Sequence, residues 1–144
     1  MSTTFSRALI PLFNYLKLTP EMRGDEEAFE LVMWSDLSLR LLHYPGNHIT
    51  FSCLLPFRTA NDITTELLWE LLQANLMNEE FPPIVLAASA NSDELVIWSR
   101  LPMNTADPQA LIALYENMAF YTHTLGQRLG IISQHLPDEV GVGL

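Results

Sequence analysis

Four histidines, one cysteine and a run of three acidic residues are the side chains in this 144-residue sequence whose types could carry chemistry. Metal binding or acid–base work by histidine needs partners at fixed spacing, as in H-E-x-x-H on one helix face. His43 and His48 flank a turn, while His123 and His135 lie far downstream, and no such pattern is present. They read as solvated or structural side chains; an enzyme would have to assemble its site from His43, His48 and nearby carboxylates. Cys53 sits in a run that alternates with Ile49 and Phe51 on the same side. That placement predicts a buried, inert thiol, because a nucleophilic cysteine requires polar, electropositive surroundings. Asp25-Glu26-Glu27 could offer oxygens to a hard cation, but calcium loops space their ligands along the chain, so the run reads as a solvated loop. There is no G-x-S-x-G elbow and no glycine-rich phosphate loop. The sequence therefore predicts no catalytic residue, no metal site and no cofactor, and a role other than that of an enzyme.

Composition narrows the partners. With 17 acidic and 7 basic side chains the formal charge is −10, and the basic residues Arg7, Lys17, Arg23, Arg40, Arg58, Arg100 and Arg128 form no stripe. A field of that sign repels polyanions, which excludes nucleic acid as the expected partner. A single cysteine rules out an intramolecular disulfide framework and fits a reducing compartment. Every apolar run is interrupted before the ~20 residues that a bilayer span requires. The first residues, broken by Pro11 and Asn14, do not read as a signal peptide. The expectation is a soluble, cytoplasmic protein with no membrane insertion. At 49% hydrophobic residues the chain is rich enough in apolar side chains to fold around one core.

The elements that must position these residues follow from periodicity. Phe5, Leu9, Leu12, Phe13 and Leu16 form a helical stripe, within which Pro11 imposes either a kink or a fresh start near Ile10. A polar connection over 18–27 precedes three alternating runs, 28–34, 37–44 and 48–55, separated by turn signals at Ser35-Asp36 and Pro45-Gly46-Asn47. Asn61 or Asp62 is the expected N-cap of a middle helix reaching about residue 78. Runs 84–90 and 94–101 read as a hairpin, and Asp107-Pro108 opens a last helix that Gly130 closes. The predicted fold is a single α+β domain over 1–130, in the order α-β-β-β-α-β-β-α, with helices packed on one antiparallel sheet. Residues 131–144 read as a flexible C-terminal tail.

The apolar residues outnumber what one sheet face can bury. If Phe29, Leu31, Met33, Leu37, Leu39, Leu41, Ile49, Phe51, Leu95 and Ile97 face the helices, the opposite face carries Val32, Trp34, Leu42, Tyr44, Leu54, Val96 and Trp98. The middle helix likewise spreads Leu67, Leu68, Trp69, Leu71, Leu72 and Leu76 over more than one face. Burying each large apolar side chain is worth about 1.5–3 kcal/mol. A surface for a second copy or another chain accounts for the excess. The competing explanations are a further helix over the sheet or a pairing register displaced by one residue.

Three phrases carry a resemblance: Leu71-Leu72-Gln73-Ala74-Asn75-Leu76, the hairpin Glu94-Leu95-Val96-Ile97-Trp98-Ser99-Arg100-Leu101-Pro102, and Phe13-x-x-Leu16-x-Leu18 before an acidic loop. In this order, in a short acidic chain, they resemble the type III secretion chaperones of the Tir-chaperone (CesT-like) family, over residues 5–130. Lys17 stands where the family often has glycine. The resemblance implies a homodimer that holds the N-terminal, non-globular segment of a secreted effector, keeps it secretion-competent and presents it to the export ATPase in the bacterial cytoplasm. It also implies pairing through the middle helix and an adjacent strand, at Leu68, Leu72, Leu76 and Val85. Client segments would lie in apolar grooves of the first helix and sheet, involving Phe5, Leu9, Val32, Trp34, Leu42 and Leu54, and could extend a strand edge. A binding protein of the same fold that sequesters a secretion regulator is the alternative.

Overall fold

Proline has no N–H to give to a helix, and the N-terminal segment is accordingly two helices, α1 (Ser2–Ala8) and α2 (Ile10–Tyr15), with Pro11 in the first turn of the second. The computed structural model describes residues 2–33, 36–44, 46–56, 64–76, 82–90 and 93–131, with backbone alone at 2–4, 74 and 76. Helix α2 closes with Lys17 at φ 60°, the left-handed conformation usually given to glycine. There the Leu18 N–H donates to the Phe13 carbonyl at 2.8 Å and the Lys17 N–H to Asn14 at 3.1 Å.

Strands β1 (Ala28–Val32), β2 (Ser38–Tyr44) and β3 (His48–Pro56) form the expected meander, and β4 (Val85–Ala88) and β5 (Glu94–Pro102) the expected hairpin. All neighbours are antiparallel, in the spatial order β1-β2-β3-β5-β4. Short turns oblige consecutive strands to pair, whereas the long connection through α3 (Thr65–Leu76) lets β5 rather than β4 lie beside β3. The first and fourth strands are shorter than their apolar runs suggest. Asp36, at φ 71°, turns the chain back, and its N–H donates to the Met33 carbonyl.

The alternation places Leu31, Leu39, Leu41, Ile49, Phe51, Cys53, Leu55, Leu95, Ile97 and Leu101 on one face, all buried. Against them pack Phe5, Leu9, Leu12 and Phe13, together with Leu111, Leu114, Tyr115 and Met118 of α4 (Pro108–Arg128). Phe29 joins the two layers: its ring lies 5.9 Å from Phe5 and 5.0 Å edge-on from Phe13. Asp107 caps α4, its carboxylate accepting from the Ala110 N–H at 2.8 Å. Gly130, at φ 79°, lets the Ile131 N–H reach back to Gly126. For α3 the cap is Thr64, whose hydroxyl accepts from the Leu67 N–H at 3.1 Å; the expected caps Asn61 and Asp62 lie outside the described residues. So do residues 132–144, which include His135 and all but the first residue of the expected tail.

Candidate protein-interaction surfaces

The residues with possible chemistry are dispersed. His43 lies on the helix-facing side of β2, stacked 5.2 Å from Phe5, with Nδ1 3.1 Å from Glu27 Oε1. His48 falls on the opposite sheet face, because pairing of Tyr44 with His48 puts His43 opposite Ile49. No joint site forms between them. Burial pushes the Cys53 thiol up to about 11, as its apolar run predicted. His123 is buried within α4. The acidic run is not simply a solvated loop. Glu26 accepts from the Arg23 N–H at 2.6 Å, the Ser6 hydroxyl at 2.8 Å and the Gly24 N–H at 3.1 Å. These donors, the Arg23 amide first, lower its pKa to about 2 and staple the loop to α1. Among the described residues no group of three His, Cys, Asp or Glu side chains could hold a metal ion.

The registers define the other sheet face row by row. Val32, Ser38, Leu54, Val96 and Ala87 cross the five strands in one row; Glu30, Arg40, Ser52, Trp98 and Val85 form the next; Ala28, Leu42, Thr50 and Arg100 the third. Pairing therefore falls in the register read from the sequence. Arg100 covers part of this face itself: its guanidinium sits 4.2 Å from the Tyr44 ring centroid and 5.4 Å from that of Trp98, and Nε donates to the Thr50 hydroxyl at 3.4 Å. Thr50 is buried and Leu42, Val96 and Trp98 are half-buried, so the apolar excess here is smaller than the side-chain list implied. Val32 and Leu54 stay open, at 70% and 39% exposure. Trp34 lies outside the described residues.

On α3 the excess is larger. Among the described side chains of the helix only Leu71 is buried, while Leu68, Trp69 and Leu72 are exposed at 47%, 64% and 63%. Leu68 and Leu72 are one helical turn apart and so share a stripe. Val85, beside α3 on β4, is half-buried; the Leu76 side chain lies outside the described residues. Two contacts position the helix. Asn75 joins its carboxamide to Leu86 of β4, and Arg128 of α4 makes a bidentate pair with Glu70 at 2.8 and 2.9 Å.

At the far side of the sheet, β1 has a free edge among the described residues. Residues of an antiparallel pair alternate between spending both backbone groups on the partner and turning both away. His43 N–H donates to the Glu27 carbonyl and Met33 N–H to Leu37, which fixes Phe29 and Leu31 as the residues bonded to β2. The N–H and C=O groups of Ala28, Glu30 and Val32 therefore point outward, where no described strand pairs with them. Next to this edge a groove of ≈ 610 Å³ opens between α2, β1 and α4, walled by Leu16, Leu18, Leu31, Val32 and Tyr115. Across its mouth the Tyr15 hydroxyl donates to Glu116 at 2.6 Å, which raises the tyrosine pKa above the ordinary phenol value.

Two expected client contacts need correction. Phe5 and Leu9 are wholly buried against the sheet and cannot meet another chain without unfolding α1. The exposed apolar residues of that region are Ile10, Tyr15 and Leu18 instead, with Phe120 on α4. The stripe pointed to Phe5 and Leu9 as apolar, but a stripe marks the buried face of a helix; its exposed neighbours were the signal to read.

Comparison with known proteins agrees with this architecture. The family described as Tir chaperone protein (CesT) family matches residues 8–125. No curated protein sequence matches the chain. Among solved structures, the fold is similar to that in the ExoT-SpcS complex from Pseudomonas aeruginosa (19% identity, TM-score 0.65, covering 85% of this chain and 97% of that one). It is also similar to the Yersinia pestis type III secretion chaperone SycH, in complex with a stable protein fragment (16% identity, TM-score 0.67, covering 84% and 98%). A third similar fold occurs in the heterodimeric ExoU-SpcU complex from the Pseudomonas aeruginosa type III secretion system (19% identity, TM-score 0.65, covering 85% and 94%).

Proposed function

The chain belongs to the Tir chaperone protein (CesT) family, and from that premise we propose that it is a type III secretion chaperone acting as a homodimer in the bacterial cytoplasm. Its client is the N-terminal, non-globular segment of a secreted effector, held in a form ready for the export apparatus and its ATPase. The observation that carries this reading is the free β1 edge beside an apolar groove. The outward N–H and C=O groups of Ala28, Glu30 and Val32 suit an extended segment, whatever its sequence, because strand addition uses backbone hydrogen bonds. Alternate side chains of such a segment would enter the groove against Leu16, Leu18, Leu31 and Tyr115. Those between them would meet Val32 on the other face of the sheet.

Ordering a flexible segment consumes about 2–5 kcal/mol or more of the gross interaction energy, so many modest contacts over a long surface serve better than one deep pocket. The exposed stripe Leu68–Leu72, with Val85 beside it, supports pairing of two copies through α3. Among the described residues no helix is long and apolar enough to cross a membrane. Holding a segment is equilibrium binding, and the reading assigns no residue a catalytic role.

The test is co-purification of the tagged full-length chain from its host, followed by mass spectrometry and limited proteolysis of the captured protein. A secreted effector whose N-terminal segment is protected, and whose capture is lost in Val32→Asp with an unchanged melting temperature, is the expected result. Capture undiminished by Val32→Asp would remove the β1 edge from the binding surface. Capture of a secretion regulator in place of an effector would move the chain to the sequestering role.

A further inference from the structure

The two ends of the sheet are treated differently. At β1 the outward backbone groups meet no described strand. At β4, the other edge, Ser89 N–H donates to the Glu94 carbonyl, which fixes Val85 and Ala87 as the residues bonded to β5 and turns Leu86 and Ala88 outward. Leu86 is not left open. Its N–H donates to Asn75 Oδ1 at 2.7 Å, and its carbonyl accepts from Asn75 Nδ2 at 3.0 Å. A carboxamide presents one donor and one acceptor in a plane, the same pair that a peptide group offers to a neighbouring strand. One side chain thus reproduces both hydrogen bonds that an added strand would make with Leu86.

We propose that Asn75 biases strand addition to this sheet towards β1, by occupying the Leu86 position of the β4 edge as a strand mimic so that an extended polypeptide cannot pair across that position. An exposed edge is a template for any chain with a free backbone. A protein that handles unfolded segments meets such chains constantly, and with both edges open it would bridge two of them or polymerise edge to edge. The closing residue lies near the C-terminus of α3, which also carries Leu68 and Leu72. The same two hydrogen bonds therefore hold the helix in place while they close the sheet. The β1 half of this proposal rests on the strand-addition reading above; the β4 half does not, and it is tested on the protein alone.

Amide hydrogen exchange in the full chain should show Leu86 protected, and Glu30, Val32 and Ala88, whose amides point outward without a described partner, exchanging quickly. In Asn75→Ala, where the new residue is the better helix former, exchange at Leu86 should rise by about fivefold or more, the loss of one hydrogen bond. Light scattering should then detect species larger than the wild-type assembly. Adding Ala88→Pro, which removes an outward N–H from the same edge, should restore the wild-type size. Exchange at Leu86 as fast as at Ala88 in the wild type would overturn the proposal, and so would an Asn75→Ala protein of unchanged size and unchanged Leu86 protection. If Asn75→Ala does not fold, the wild-type comparison of Leu86 with Ala88 still decides. A normal exchange pattern in a protein that captures no client would leave the closure of β4 standing and refute the function alone.

Discussion

Truncating Leu72 to alanine separates a pairing surface from a core. In the lone subunit 63% of Leu72 remains in contact with water, beside Leu68 and Trp69. Complete burial of a leucine side chain contributes about 1.5–3 kcal/mol, so covering the exposed share of Leu72 is worth about 1–2 kcal/mol. A two-fold dimer uses each interface residue twice, which makes the loss about 2–4 kcal/mol per dimer. Each 1.4 kcal/mol is a factor of ten, so dissociation should become about 30- to 700-fold easier. The subunit itself should keep its stability, because alanine is a good helix former and Leu72 makes little contact within the fold. Leu71→Ala is the contrast. Leu71 is buried against the sheet, and its truncation should cost about 2–5 kcal/mol of folding stability. Sedimentation equilibrium over a dilution series measures the first effect, and urea unfolding below the dissociation concentration measures the second. An unchanged dissociation constant in Leu72→Ala, or a loss of subunit stability equal to that of Leu71→Ala, would refute the assignment of this stripe to pairing.

Two further outcomes follow from local geometry. Lys17 occupies the left-handed position after α2 at φ 60°; an L side chain there costs about 1–2 kcal/mol, partly offset by the chain entropy that glycine gives up. Lys17→Gly should therefore raise unfolding stability by about 0.5–1 kcal/mol in denaturant titrations, and a destabilised variant would show that the lysine side chain contributes more than its backbone costs. Glu26 is held at about 2 against an ordinary 4.5 by the donors around it. Its folded-state pKa is depressed, so its contribution is fully present above about pH 4.5 and is lost as the pH falls towards 2. The melting-temperature gap between wild type and Glu26→Gln should be greatest above pH 4.5 and close on acidification. A gap independent of pH would mean that the carboxylate charge plays no part in stapling the loop.

Much of this protein is determined by order along the chain. Alternation in 28–34, 37–44 and 48–55, together with short turns, sets the meander and its inner face, because a side-chain period of two leaves only one register in which both faces make sense. The interruption at Pro11, the cap at Asp107 and the stop at Gly130 depend on single residues with special backbones, and such residues act locally. Leucine spacing in 67–76 already marked more apolar surface than one contact could use. What tertiary structure alone decided is which of that surface is open. Phe5 and Leu9 look like any other apolar stripe until the sheet packs on them, and Trp98 looks exposed until Arg100 folds across it. The free edge at β1 and the closed edge at β4 are also beyond a one-dimensional reading. An edge exists only once strands are ordered in space, and Asn75 meets Leu86 across eleven positions of chain only because α3 lies along the edge strand β4.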